Sequence, residues 1–401
     1  MLGKYSSLNN LDLVILAGGK GSRIKKLLGK YPKPMLKFNK KHFIQYILNN
    51  KSKYNFKRII ILCGFRSDIF FKKFHKKKIN FSEIICIKEK KLLGTGGALA
   101  NLKKLKVKDF ILTNGDTIFD IDVDLLVSSL KKNSIGAIAL KQNTKQKSKK
   151  LNNLIVKNNF VSIKQNSKLM NGGTYFFKKS IFKYISNKSF SLEDDLLPRL
   201  ISMKKINGKI FNNFFIDIGS THYFRLAEKL LKEKYTRPSI FLDRDGVINH
   251  DYGYVHDIKN FKFRPGVVKG LKYLTKKNFF IFIITNQAGI GKKKFLESEF
   301  IQLHKNINNK LKKINIFFND IQYSPYHPEA KIEKYKKNSS MRKPGNKMIK
   351  NIKLNWDIQN RKSFMIGDKI TDKLTAKKSD LKFYYATKNF YKQVKSIISN
   401  Y

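Results

Sequence analysis

The chain has 401 residues, 41% of them hydrophobic and 13% aromatic, enough to bury a core and outside the range of disordered or fibrous classes. Lys and Arg number 84 against 28 Asp and Glu, a formal charge of +56, yet they are spread over the whole length among Asn, Ile and Phe, as on a solvated surface and not in a nucleic-acid stripe. No run reaches the roughly 18 to 20 apolar residues of a membrane span, and the first residues lack the apolar stretch and cleavage site of a secretory signal, so a cytoplasmic protein with no nucleic-acid or membrane partner is expected.

At about 100 to 200 residues per domain the length predicts two domains. In chain order, β-branched runs alternate with longer amphipathic stretches: LDLVILA, RIIILCGF and DFILTNGD, then SIFLDRDG, FFIFIITNQ and SFMIGDK. Strands alternating with helices predict parallel α/β sheets. Each run closes on Gly, Asn, Asp or Thr, which puts polar residues at the carboxyl ends of strands, where open α/β sheets bind ligands. Cys63 and Cys86 sit inside strand-like runs and read as buried hydrophobes without a disulfide. The segment 141–150 reads as a polar surface loop, and no internal repeat is visible. A helix over 221–235, capped by Ser220 or Thr221, runs into Thr236-Arg237-Pro238, and a fresh strand starts at Ser239. The predicted domains are therefore 1–235 and 236–401.

In the first domain, strand LVILA passes through Leu16 and Ala17 into Gly18-Gly19-Lys20-Gly21-Ser22-Arg23, and Lys33 follows between Pro32 and Pro34. Glycine-loop amides can wrap a triphosphate closely, while Arg23 and Lys33 place positive charge where pentavalent phosphorus gains negative charge, which makes both catalytic candidates. Leu93-Gly94-Thr95-Gly96-Gly97 offers a second close-approach loop. Asn114-Gly115-Asp116 and Phe215-Ile216-Asp217 each end a strand on a carboxylate, and Asp116 with Asp217 can share a Mg²⁺ that bridges the α-phosphate and an incoming sugar phosphate.

LAGG-x-G-[ST]-R, PKPM, GTGGA, NGD and DIG, in this order over roughly 11–230, resemble the sugar nucleotidyltransferase family. The resemblance implies nucleotide binding by Leu16, Ala17, Gly18, Gly19, Gly21, Ser22, Gly94, Thr95 and Gly96. It also implies sugar contacts from Asn171 and Gly172, in Asn171-Gly172-Gly173-Thr174-Tyr175, and from Glu193, in Ser191-Leu192-Glu193-Asp194-Asp195. Acids in that last segment also suit the positive end of a helix without any ligand. The family's Pro after DIG is missing in Gly219-Ser220-Thr221-His222, a change at a helix start and not at the metal carboxylates.

In the second domain, strand SIFL ends in Asp243-Arg244-Asp245-Gly246-Val247-Ile248-Asn249. Asp243 can attack a phosphoryl group, and Asp245 can protonate the leaving oxygen and then activate water, provided the chain bends at Gly246. Thr285 and Asn286 suit phosphoryl oxygens, Arg342-Lys343-Pro344 brings cations, and Gly367-Asp368-Lys369 a further metal carboxylate, so Asp243, Asp245 and Asp368 are the Mg²⁺ ligands expected here. The order D-x-D, [ST]-N, Lys and GD over about 238–387 resembles the haloacid dehalogenase superfamily, with wording closest to its heptose bisphosphate and histidinol phosphatase branch. By that similarity Arg342 and the loop Tyr252-Gly253-Tyr254-Val255 help hold the sugar. The branch often carries a zinc loop just before RKP, but all four ligand positions are replaced in Ser324-Pro325-Tyr326-His327-Pro328 and Ser339-Ser340-Met341. Four donors are needed for such a site, so no zinc is expected and the loop should be held by packing of Tyr323, Tyr326 and Pro328.

Together the resemblances imply two Rossmann-like three-layer α/β domains, a nucleotidyltransferase fold followed by a haloacid dehalogenase-like fold, acting with Mg²⁺ on a nucleoside triphosphate and phosphorylated sugars. Fusion suggests that one product feeds the other site: removal of the 7-phosphate of D-glycero-D-manno-heptose 1,7-bisphosphate, then transfer of GMP from GTP to the 1-phosphate, for surface polysaccharide. The rivals are a mannose-1-phosphate guanylyltransferase or other hexose nucleotidyltransferase joined to a phosphatase of different specificity, histidinol phosphate included, and a nucleic-acid-binding or end-processing protein. Base, sugar, anomer and oligomeric state stay open.

Overall fold

Apolar runs without polar alternation fold into strands buried on both faces. The computed structural model describes residues 8–19, 31–142, 152–219 and 221–400 and divides into two units, Met1–Leu230 and Leu231–Tyr401. Both are mixed α/β.

The first unit holds strands β1 (Asp12–Leu16), β2 (Arg58–Cys63), β3 (Lys78–Ile79), β4 (Ser82–Lys88), β5 (Phe110–Asn114), β6 (Thr117–Phe119), β7 (Gly136–Gln142), β8 (Asn152–Lys157), β9 (Phe160–Ile163), β10 (Leu169–Phe177), β11 (Ile206–Phe211) and β12 (Phe215–Asp217). Ten of them make one sheet in the order β8-β9-β11-β7-β10-β5-β1-β2-β4-β3, while β12 pairs with β6. The stretch β5-β1-β2-β4 is parallel, and β10 runs antiparallel to β5. Alternate residues Val14, Ile60, Leu62, Phe110 and Leu112 face one cluster closed by Leu196, Leu197 and Leu200, the period of two that a pleated strand imposes. Cys63 and Cys86, on the neighbouring strands β2 and β4, are free and buried, as expected. Of the segment 141–150, Lys141 and Gln142 finish β7 and the rest lies outside the described residues.

After helices α1 (Phe43–Lys51) and α2 (Ser67–Phe74) of the first unit, the helix α3 (Thr221–Tyr235) forms where its pattern predicts; Ser220, one of its two cap candidates, lies outside the described residues. The second unit has a five-stranded parallel sheet of β13 (Ser239–Leu242), β14 (Phe280–Asn286), β15 (Asp320–Ser324), β16 (Phe364–Gly367) and β17 (Lys382–Tyr385), ordered β15-β14-β13-β16-β17. Helices α4 (Val267–Lys276), α5 (Glu297–Lys312), α6 (Lys347–Asn355), α7 (Ile370–Lys377) and α8 (Phe390–Ser399) complete it. Phe241, Phe280 and Phe282 pack with Met348, Ile349 and Ile352 of α6, and Trp356 lies edge-on to Phe280 at 4.8 Å. At the amino end of β15 the carboxyl of Asp320 accepts from Gln322 and Trp356, yet burial still pushes it up to about 6. Among the described residues no helix is long and apolar enough to cross a membrane.

Candidate active sites

In the first unit, the residues that follow the parallel strands line a cavity of about 580 Å³, at the edge where such sheets bind ligands. Leu16, Ala17, Gly18 and Gly19 come from β1, Asp116 from β5, Glu89 from β4, and Asp217 from β12 faces the same space. The nearly buried Lys33 puts Nζ 3.1 Å from Asp116 Oδ2. Gly219 shows how tightly this corner is built: a Cβ there would stand 2.9 Å from Asp217 Oδ1, 3.1 Å from Lys33 Nζ and 3.3 Å from Asp116 Oδ2. Two carboxylates and one ammonium sum to −1, a charge that suits a divalent cation shared with phosphate oxygens.

The opposite wall is a continuous hydrogen-bonded piece. The Ser191 hydroxyl accepts from the amide of Asp194 (3.0 Å) and opens a wide turn over Leu192–Leu196, in which the amide of Leu196 reaches the Ser191 carbonyl at 3.2 Å. Thr95 Oγ1 donates to Glu193 Oε2 (2.8 Å) and accepts from the amide of Leu192 (2.8 Å). Asn171 Nδ2 donates to the hydroxyl of the buried Tyr175 (2.6 Å). Asn171, Gly172, Gly94 and Thr95 all line the cavity. Glu89 is 8% exposed, and burial raises its carboxyl although the Leu93 amide donates to it. Its carboxylate fills the space in which Gly18 lacks a side chain.

In the second unit the carboxyl ends of β13, β14 and β16 bring Asp243, Thr285 and Asp368 together. Lys343 Nζ lies 2.8 Å from Asp243 Oδ2 and 2.6 Å from Asp372 Oδ1, with all three side chains almost fully buried. Burial pushes Asp243 up to about 6, against the pull of Lys343. Burial would lower Lys343, but Asp243 and Asp372 more than offset it, so the ammonium is held charged. Burial raises Asp368 as well. Carboxylate oxygens of Asp243, Asp368 and Asp372 lie within 4.8 Å of one another. Asp368 Oδ1 is buried with no hydrogen-bond partner among the described residues. Three carboxylates with one ammonium sum to −2, so the donor set fits one divalent cation. Gly246, at φ +81°, makes the bend that the motif requires, and a side chain there would collide with the Asp368 carboxylate.

Most of the residues singled out in the sequence converge on these two places, with exceptions. Gly21, Ser22 and Arg23 lie outside the described residues. Gly96 does not line the cavity: it lies under the ring of Phe190 and donates its amide to that residue's carbonyl. Asp245 is not among the three carboxylates of that cluster; Arg244, Asn249 and Gln287 donate to its two oxygens. Its place is taken by Asp372, in the first turn of α7, whose Oδ2 accepts from the amides of Asp368 and Lys369 (3.1 and 3.0 Å). Asn286 spends both ends of its amide on the Lys343 backbone, seating the lysine, while Thr285 accepts from Gln287. Arg342 is half-buried beside Tyr254. The loop before it is held by more than packing: Tyr323 and Tyr335 both donate to Glu297 of α5, and Tyr326 lies edge-on to Tyr335 at 5.6 Å.

Residues 13–234 match the family described as nucleotidyl transferase, and 242–395 match the one described as polynucleotide kinase 3 phosphatase. The chain is similar to the D-glycero-beta-D-manno-heptose-1,7-bisphosphate 7-phosphatase of Photorhabdus laumondii, at 41% identity over 135 residues, covering 34% of this chain and 72% of that protein. The protein of that name from Escherichia coli is 38% identical over 135 residues, covering 34% and 71%. Among solved structures, HddC from Yersinia pseudotuberculosis is 29% identical with a TM-score of 0.46, covering 55% of this chain and 100% of that one.

Proposed function

We propose a pair of consecutive reactions for this chain, which belongs to the nucleotidyl transferase family through residues 13–234 and, through its second half, to the family of the D-glycero-beta-D-manno-heptose-1,7-bisphosphate 7-phosphatases. The second unit removes the 7-phosphate of D-glycero-D-manno-heptose 1,7-bisphosphate, and the first joins the remaining 1-phosphate to GMP from GTP. The observation that carries the substrate is the 41% identity to a phosphatase of that name, in one chain with a nucleotidyltransferase whose substrate the phosphatase product would be.

In the phosphatase, Asp243 attacks phosphorus and the ester bond breaks. Asp245 protonates the departing sugar oxygen, then takes a proton from the water that hydrolyses the aspartyl-phosphate, while Lys343 and Thr285 meet the phosphoryl oxygens. In the transferase an oxygen of the sugar 1-phosphate attacks the α-phosphorus and pyrophosphate leaves, with Lys33 and Arg23 offsetting the charge gained there. Asn171, Gly172 and Glu193 hold the sugar. Asp116 and Asp217 in one site, and Asp243, Asp368 and Asp372 in the other, would hold Mg²⁺, which supplies positive charge to phosphate oxygens when bound.

Glu89 supports GTP. Guanine presents two adjacent donors, N1–H and the 2-amino group, to a carboxylate, whereas adenine, cytosine, uracil and thymine each pair a donor with an acceptor along that edge. Given the bisphosphate, GTP and Mg²⁺, the full-length enzyme should release phosphate first and pyrophosphate second, and Asp243→Asn should sharply reduce the pyrophosphate. Undiminished nucleotide-sugar from the Asp243→Asn protein would refute the sequence of steps, and a higher turnover with CTP, UTP or dTTP would refute the base.

A further inference from the structure

Between the two aspartates of the phosphatase motif lies a side chain that the chemistry alone does not require. Arg244 is 1% exposed, and a buried guanidinium is costly unless it is paired and hydrogen-bonded. Its partners therefore show what it is kept for. Nε and Nη2 donate to Asp245 Oδ1 at 3.1 and 2.8 Å, and Nη2 donates to Oδ2 at 2.8 Å. The same Nη2 donates to the carbonyl of Val255 at 2.7 Å, and the Phe300 ring lies 5.5 Å from the guanidinium.

Two more buried side chains complete the enclosure. Asn249 Nδ2 donates to Asp245 Oδ1 at 3.0 Å, and Gln287 Nε2 donates to Oδ2 at 3.0 Å and to Thr285 Oγ1 at 2.9 Å. Asp245 cannot rotate without breaking a charge-assisted hydrogen bond, the stronger kind. Val255 belongs to the loop in which Tyr252 and Tyr254 stand 60% and 47% exposed, so Arg244 also fastens the root of that loop to the carboxylate.

We propose that Arg244, with Asn249 and Gln287, is a positioning device that fixes the Asp245 carboxylate for proton transfer to and from the leaving oxygen. The proposal rests on the reading of Asp245 as acid and base given above. Proton transfer matters most when the leaving group is a poor one, so the device should matter for an alkyl ester and little for an aryl ester. The test compares kcat/KM of the full-length protein, with Mg²⁺ added, on D-glycero-D-manno-heptose 1,7-bisphosphate and on p-nitrophenyl phosphate. Arg244→Lys should lose about 100-fold on the sugar ester and less than about 5-fold on the aryl ester, a share of the roughly 10²–10⁴-fold that acid-base catalysis contributes. Equal losses on both esters, as a merely structural arginine would give, or no loss on either, overturn the proposal. Asp245→Asn is the reference: if it spares the sugar ester, the acid and base reading itself fails, whereas if it shows the selective loss and Arg244→Lys does not, only the positioning device fails. Should Arg244→Lys be unfolded by circular dichroism, Asn249→Ser leaves the buried ion pair in place and should show the same selectivity at about 10-fold; an unselective loss or none overturns the proposal in that arm too.

Discussion

The two sites handle charge in opposite ways. In the first unit the functional groups face open space, and Lys33 with Asp116 is the ion pair that bridges that cavity among the described residues. In the second unit the groups are closed on each other: Lys343 sits between Asp243 and Asp372, and Asp245 is enclosed by three donors. An enzyme that takes two large substrates needs a prepared vacancy and can let their phosphates complete its charge balance. One that makes a bond from its own carboxylate to phosphorus, as proposed for Asp243, must hold that carboxylate ready, and Asp243 is buried against a lysine.

The largest effects should come from breaking that contrast at its charges. Asp243→Asn removes the proposed nucleophile and should cost the phosphatase at least about 10⁴-fold in kcat, while nucleotidyl transfer from preformed sugar 1-phosphate stays within about twofold. Asp217→Ala should do the converse, with a transferase loss of about 10²- to 10³-fold. Each protein is assayed for both phosphate and pyrophosphate release, and a variant that loses both activities contradicts the separateness of the sites.

A smaller effect sharpens the account of the open site. Glu89→Gln exchanges an acceptor of two donors for a group that offers one acceptor and one donor, and should lower the preference for GTP over other triphosphates by about 10- to 100-fold, the worth of one bidentate contact. The kcat/KM ratio for GTP against UTP reads it directly; an unchanged ratio would remove Glu89 from the base.

The smallest effect concerns stability. Asp320 titrates at about 6 in the fold against an ordinary 3.8. Below about pH 4 it is protonated folded and unfolded alike; between about 4 and 6 only the unfolded chain ionises, so stability present at low pH is lost as pH rises through 6, by at most about 3 kcal/mol. Asp320→Asn should remove that slope and stabilise the second unit at pH 7 and above. Trp356, the chain's one tryptophan, donates to this carboxyl and reports unfolding of its own unit by fluorescence. A slope that persists in the variant would assign it to other groups.

Much of this was legible in the sequence, because strand-end motifs carry their own position: a run such as SIFL ending in Asp243 states both where the strand stops and which group it presents. What stayed hidden had no local signature. Asp372 is one acid between the lysines of KITDK, and only the first turn of α7 brings it back onto Lys343. Glu89 stands between two lysines and reads as surface charge until β4 is seen to end beside β1's glycines. Arg244 reads as a spacer, since spacing shows that two aspartates are near each other and not what holds the second. For the same reason the sequence grouped Asp245 with the metal carboxylates, since proximity in sequence does not reveal that Arg244, Asn249 and Gln287 donate to it outside the cluster of Asp243, Asp368 and Asp372.

The bridge from Thr95 to Glu193 has a consequence for how this protein can change. Loop 93–97 and turn 190–196 are joined by this bond and by the one from the Leu192 amide to Thr95, and Phe190 packs its ring on Gly96 and accepts from that glycine's amide at its carbonyl. On the function proposed above, the places of the nucleotide and of the sugar in the one cavity therefore have a common wall. A substitution that enlarges one shifts the other, so donor and acceptor preferences should drift together among descendants of this sequence, and an engineer who wants a new sugar with the old nucleotide will have to redesign 93–97 and 190–193 as a single block.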